Sequence, residues 1–329
     1  MASYNTIENI SGDGLRGLSD YCKFEYNLVK NFYVANANHD DIFQSWSGGV
    51  NGIPVGADTV TGIEIRGNTF ISHTDANQPL VSQPQAIGCF DGTFKDWIIE
   101  NNLIITEHWH GISLYGAINC KIVNNILAEN SLNLDASMVP WIKITAHKNG
   151  TLSTGNIIRN NFCSSMTNDA NIGTVDHNVI SKNYTAYFVN YSGNDFHLKV
   201  GSALINAGSN VATPIIDLEQ NSRLAPYDIG CYEFGAVSTD IQEISRPNTI
   251  HVFPNPVTEF SRVEIFSNLE EVIDVEVIDV IGKTIISRNE KLIQGVNSFN
   301  LDNSTLKPGM YFIKITGAQS KAMTRFVKN

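Results

Sequence analysis

The sequence predicts an all-β protein: a right-handed parallel β-helix (solenoid) over residues 1–235, then a small antiparallel β-sandwich over residues 250–329. Three observations predict it. A phrase made of an apolar residue, two variable positions and Asn recurs six times. The chain is 42% hydrophobic but only 17% charged, so Asn, Ser, Thr, Gly and Gln must finish its surface, as in extracellular all-β proteins. Residues 250–329 abandon the phrase for alternating apolar and polar positions, the pattern of half-buried strands.

The phrase occurs at Phe24–Asn27, Ile65–Asn68, Ile99–Asn102, Ile122–Asn125, Ile158–Asn161 and Val175–Asn178, each time followed by more apolar residues. Successive Asn residues stand 41, 34, 23, 36 and 17 positions apart. The gap of 23 has the length of one solenoid coil. Longer gaps fit a coil plus a surface loop, and the last one a degenerate coil. Asn suits the bend between strands because it tolerates left-handed backbone angles. Stacked Asn side chains also hydrogen-bond along the axis, each for about 1 kcal/mol net. A β-sandwich would instead show shorter, more even spacings with Asn-Gly or Asp-Gly turns.

A second set of strands aligns in the same way: 14–19, 40–46, 85–92, 110–116 and 140–147. Leu18, Phe43, Ile87, Ile112 and Ile142 are matched as inward residues. The column two residues earlier, Arg16, Asp41, Gln85, His110 and Pro140, then faces outward. So does the column one residue later, Ser19, Gln44, Gly88, Ser113 and Lys143. Adjacent rungs lie about 4.8 Å apart, so one sheet would carry a line of polar and titratable groups at the scale of a sugar ring. Two long loops, 48–58 and 73–84, flank this sheet as candidate walls. Residues 236–249 lose all pattern and read as a linker.

Composition excludes other classes. A net charge of -11 leaves no basic stripe for nucleic acid. It also means that an anionic ligand needs local Lys or Arg, or a metal ion, to hold it. The five cysteines are widely spaced without a CxxC and read as buried free thiols. No stretch has the length of a membrane-spanning helix. The first residues lack the basic and apolar parts of a signal peptide, so the solenoid is expected to have further rungs upstream of Met1.

Chemistry concentrates on one edge of the aligned sheet. His39, Asp40 and Asp41 precede one strand, and Glu107, His108, Trp109 and His110 precede another two rungs away. Groups so placed stand roughly 9.6 Å apart, with room for a sugar and a water. Trp46, Phe90, Trp109, Tyr115 and Trp141 offer flat apolar faces, while Arg16, Lys143 and Lys148 are the cations available to a carboxylate. His39, Asp40, Asp41, His110 and Lys143 are therefore the catalytic candidates. Arg16, Gln44, Trp46, Gln85, Asp91, His108, Trp109, Tyr115, Trp141 and His147 are the candidates for holding substrate. His39, Asp41 and His110 match no zinc spacing, and no metal ligands are assigned.

Residues 40–46 (DDIFQSW), 110–116 (HGISLYG) and 141–150 (WIKITAHKNG) resemble, in their order, the site strands of polygalacturonases. On that mapping Asp40 and Asp41 match the Asp pair, His110 the His and Lys143 the Lys. Residues 85–92 intrude as an extra rung, Trp109 stands for a Gly and Trp141 for an Arg. The separate NTD motif is missing. In fold and site composition the chain also resembles pectate and alginate lyases and uronan epimerases. The resemblance implies a polysaccharide substrate, most simply a uronate polymer cleaved by β-elimination. Hydrolysis, epimerisation and non-catalytic glycan binding are the rivals, and Ca2+ is the one candidate cofactor. INAG (205–208) and DIGCYE (228–233) resemble the terminal segment that closes many bacterial β-helices, and are expected to cap the stack. The FPNP start (253–256), the turn at Gly282 and the PGMYFIKI strand (308–315) resemble the C-terminal sorting domain of type IX secretion. That resemblance implies a Gram-negative bacterium, export to the surface or medium, and the secretion machinery as partner of residues 250–329. A monomer is expected.

Overall fold

The computed structural model describes residues 1–35, 39–49, 51–132, 138–235, 250–253, 255–267, 269–293, 295–317 and 321–328. The expected linker, 236–249, lies outside them. The chain divides into two compact units, Met1–Val237 and Ser238–Asn329.

The first unit is a parallel β-helix with three long sheets. The first sheet stacks Ala2–Ser3, Lys23–Glu25, Glu64–Arg66, Ile98–Glu100, Lys121–Val123, Asn156–Arg159 and Gly173–Asp176. The second stacks Thr6–Ile10, Leu28–Phe32, Thr69–Ile71, Leu103–Ile105, Ile126–Ala128, Phe162–Cys163 and Val179–Ile180. The third, on which the candidate residues fall, stacks Leu15–Arg16, Asp41–Trp46, Gln85–Asp91, His110–Tyr115, Trp141–Thr145 and Ser165–Met166. Like residues pile on like inside. Phe24, Ile65, Ile99, Ile122 and Ile158 come from the first sheet, and Phe43, Ile87, Ile112 and Ile142 from the third. Each fully buried side chain contributes about 1.5–3 kcal/mol, and only one register keeps every column inside.

The repeated Asn forms a continuous ladder, longer by one rung than the six phrases predict. Asn5, Asn27, Asn68, Asn102, Asn125, Asn161 and Asn178 make one column. At each step the Oδ1 of the later Asn accepts both the backbone N–H and an Nδ2–H of the earlier one, at 2.9–3.1 Å. The left-handed backbone is not on the ladder Asn itself. It falls one residue earlier, on Tyr4, Tyr26, Gly67, Asn101, Asn124, Asn160 and His177, with φ between 51° and 62°. The ladder residue is held by its amide, which no other side chain reproduces, while the bend before it accepts Tyr, Gly, Asn or His.

Two features of the third sheet depart from simple alternation. Leu15, not Leu18, pairs with Phe43, and Arg16 pairs with Gln44. Leu18 is 45% exposed. Arg16 therefore moves to the column of Gln44, Gly88, Ser113 and Lys143, displacing Ser19. Strict alternation would also turn Asp41, Gln85 and His110 inward, two residues before an inward residue. Instead Ile42 and Phe43, then Ala86 and Ile87, are consecutive core residues, and Gly111 faces Leu127 beside the core residue Ile112. The out-in-in-out bulge is stacked over three rungs and ends at the fourth, where the register shifts and Trp141 takes the place expected of Pro140.

The terminal segment does not simply close the end. It lies along the flank, where Phe188, Phe196, Leu204, Ile229 and Cys231 cover the outward face of the second sheet at Leu103, Ile105, Ile126 and Phe162. Asn101 donates to Ile216 O, and Asn124 donates to Asp228 O and Gly230 O. All five cysteines are free; four are buried and Cys22 is half-buried.

The second unit is antiparallel. One sheet orders His251–Phe253, Phe260–Ser267 and Gly295–Asp302, and the other Thr284–Leu292, Glu271–Asp279, Gly309–Thr316 and Lys321–Lys328. Both sheets contribute to one core, including Val263, Ile265, Val275, Val277, Leu301, Ile313 and Phe326.

Candidate functional site

The outer face of the third sheet presents two polar clusters, bridged by Gln85 and Gly88. The first surrounds Asp41. Its backbone N–H donates to Asp13 Oδ1 at 3.1 Å, and its Oδ2 accepts from Gln44 Nε2 at 2.8 Å. His39 Nδ1 stands 3.1 Å from the same oxygen. Burial, reinforced by the charges of Asp13 and Asp40, pushes the Asp41 carboxyl up to about 8. Its Oδ1 has no hydrogen-bond partner, nor has Gln85 Oε1. Both oxygens line the space over Gly88, where any Cβ would collide with Gln85. A proton on Oδ1 fits this arrangement, since it supplies the donor that two adjacent acceptors lack. Arg16 pairs through Nε with Asp13 at 2.8 Å and lies 5.5 Å from the centre of the Trp46 ring.

The second cluster surrounds His110. Its Nδ1 lies 2.8 Å from Ser113 Oγ, which accepts from Trp141 Nε1 at 3.0 Å. The backbone N–H of His110 donates to His108 Nδ1 at 3.1 Å, and the two imidazoles stack at 5.2 Å. Burial, together with the charge of His39, holds His108 down at about 4. Burial, together with His108 and Lys143, does the same for His110. Both rings are thus neutral at neutral pH. The ammonium of Lys143 lies 5.1 Å from the Trp141 ring and 6.0 Å from that of Tyr115. It forms no salt bridge with a carboxylate among the described residues. Trp109, 43% exposed, stacks on Trp141 at 6.1 Å and extends the apolar platform outward.

The third sheet thus gathers His39, Asp40, Asp41, Arg16, Gln44, Gln85, His108, Trp109, His110, Tyr115, Trp141 and Lys143 on one face or edge. Asp91 and Trp46 pair in register at the far end of their strands. There Asp91 forms an ion pair with Lys148. His147, buried, belongs to the turn in which its N–H donates to Thr151 O and its C=O accepts from Gly150. Asp91 and His147 lie away from the two clusters, and Trp46 reaches the first only through Arg16. Asp40 and Asp41 are 6% and 0% exposed. Among the described residues no three His, Cys, Asp or Glu side chains converge as a metal-binding group.

Two participants escaped the sequence reading in their roles. Asp13 orients Arg16 and caps the Asp41 N–H, and its only sequence signal is its position three residues before Arg16. Ser113 appears there only as one member of an outward column. Glu107, read from the sequence only as a neighbour of His108 to His110 on this edge, is fully buried with Oε1 3.1 Å from His73 Nδ1, and burial pushes its carboxyl up to about 7.

Comparison with known proteins reaches the second unit. Residues 251–329 match the secretion system C-terminal sorting domain family. No curated protein matches the chain. The sorting domain makes this an exported protein of the type IX secretion route, secreted or displayed at the surface of a Gram-negative cell.

Proposed function

We propose that the solenoid cleaves a uronate-containing polysaccharide by β-elimination along the outer face of its third sheet. The observation that carries the reading is one cation without a salt-bridge partner among neutral side chains. Lys143 has aromatic neighbours and no carboxylate partner among the described residues, the imidazoles beside it are neutral, and Asp41 favours its proton. A protein of net charge -11 thereby keeps one outer face that tolerates anions. Arg16 and Lys143 are four rungs apart, roughly 19 Å, so no single carboxylate reaches both. A chain of uronates lying along the axis does.

In this reading His39 is the base. Asp41 Oδ2 accepts from its Nδ1 and leaves Nε2 to take the C5 proton. The electron pair from that C–H bond moves toward the carboxylate, which Arg16 neutralises through the Nη groups that Asp13 leaves open. It then returns to form the C4–C5 double bond as the bond to the leaving oxygen breaks. Water gives the leaving oxygen its proton, and His39 returns the C5 proton to solvent. Burial withdraws Asp40 and Asp41 from direct contact with a sugar, which favours this reading over hydrolysis by that pair.

Incubation with alginate, pectate and neutral glycans, with and without chelator, tests the proposal through the ultraviolet absorbance of the unsaturated product. Absorbance on a uronan, lost in His39→Ala by about 10²-fold or more, is the expected result. Reducing ends without unsaturation would make the enzyme a hydrolase. Inverted uronates in an uncut chain would make it an epimerase. Saccharide binding without a product would make the solenoid a binding module.

A further inference from the structure

We propose that Ser113 is a positioning residue that fixes His110 as a neutral Nε2–H donor, so that His108 and His110 hold acceptor oxygens of the sugar and leave proton abstraction to His39. This rests on the proposed function for its ligand, but its structural content stands without it.

Hydrogen-bond accounting around Ser113 carries the inference. The indole N–H of Trp141 can only donate, so Ser113 Oγ accepts at 3.0 Å. Ser113 is fully buried, and its hydroxyl proton must find an acceptor inside the protein. The acceptor in reach is His110 Nδ1, at 2.8 Å. The relay therefore runs in one direction, from indole N–H to hydroxyl to Nδ1, and the imidazole proton sits on Nε2. The opposite tautomer would have the ring donate to Ser113 and strand the hydroxyl proton.

The same rule applies independently to His108. Its Nδ1 accepts the backbone N–H of His110 at 3.1 Å, which places its proton on Nε2 as well. Neither Nε2 has a partner among the described residues. Two stacked rings, each with its acceptor nitrogen occupied from within the protein, thus keep only a donor free. Their burial keeps both uncharged at neutral pH. Donors without charge suit oxygens that gain electron density as a glycosidic bond breaks, because no counter-ion must be displaced to reach them. Lys143, one rung on from Ser113, adds the charged member of the group.

Nitrogen-15 NMR of the full chain with labelled histidine tests the tautomers in the absence of any substrate. For both rings the expected spectrum shows a protonated Nε2 and an unprotonated Nδ1 from about pH 8 down to about pH 5. A protonated Nδ1 on neutral His110, or a charged ring at pH 7, overturns the proposal whether or not the protein cleaves uronans. In Ser113→Ala the His110 signals should move toward a mixture of tautomers while those of His108 stay. Ser113→Thr, which keeps the hydroxyl, should restore the single form. A Ser113→Ala spectrum unchanged at His110 also overturns the proposal. With an active preparation, Ser113→Ala should lower kcat about tenfold and leave the pH dependence of kcat in place. A shift of that pH dependence would instead make His110 the base and end the assignment.

Discussion

Asp41 is a carboxyl whose surroundings favour the proton over the charge, and the consequence for stability has a definite sign. Its folded pKa, about 8, lies above its ordinary 3.8. Between those values the folded chain holds a proton that the unfolded chain releases, so stability falls as pH rises through this window and levels above it. Asp41→Asn keeps the side-chain shape and has nothing to titrate. The stability of the variant relative to wild type should therefore improve by about 2 kcal/mol between pH 6 and pH 8. Urea unfolding at the two pH values measures it, and a difference independent of pH would contradict the shift. His108 and His110 act in the opposite direction. Their folded pKa values, about 4, lie below the ordinary 6.5, so their contribution is complete above about pH 6.5 and is lost as pH falls toward 4. His108→Gln should retain more of its stability at pH 5, relative to pH 7, than wild type does, a comparison that thermal melts at both pH values can make.

Among the elements, the Asn ladder gives the solenoid both its register and its legibility. Each rung needs an acceptor and a two-proton donor on one short side chain. The residue type therefore repeats, and six of the seven rungs are visible as a phrase. Asn5 is less visible, because its lead is the small Ala2 where the other rungs carry Phe, Ile or Val. Asn102→Ala would strip the acceptor from Asn68, leaving its N–H and Nδ2–H unpaired in a fully buried site. It should cost about 3 kcal/mol or more. Asn178→Ala strips Asn161 of the same acceptor, but at a half-buried last rung where water can take its place, and should cost about 1 kcal/mol. Equal losses in denaturant unfolding would mean that the ladder is not a cooperative column. The stacked bulge of the third sheet was less legible for a physical reason. Period-two alternation describes a flat strand, and the pairs Ile42–Phe43 and Ala86–Ile87 satisfy the core from either register. Leu15 and Leu18 are likewise interchangeable by hydrophobicity, and only pairing to Phe43 distinguishes them.

At the scale of the whole molecule, the two units keep separate cores. Residues from Leu15 to Ile172 build the interior of the solenoid, and residues from Ile250 to Phe326 build that of the sorting unit. The place of the candidate site was legible because its residue types are rare in so uncharged a chain. Its internal roles were not, because direction of donation and burial depend on neighbours such as Asp13 and Trp141 that no spacing announces. The division into units leads to a last prediction. Deleting residues 251–329 removes the matched sorting domain while leaving every ladder Asn and every third-sheet strand in place. The shortened protein should fail to reach the medium or the outer surface and should accumulate inside the cell envelope. Its solenoid should keep the far-ultraviolet circular dichroism of β-structure and whatever uronan cleavage the full chain shows, with kcat/KM within about twofold, since no group on the third-sheet face is altered. Cell fractionation followed by assay of the retained protein separates the outcomes. Undiminished export would deny the sorting domain its role, and retained but inactive, well-folded solenoid would show that this face depends on the second unit.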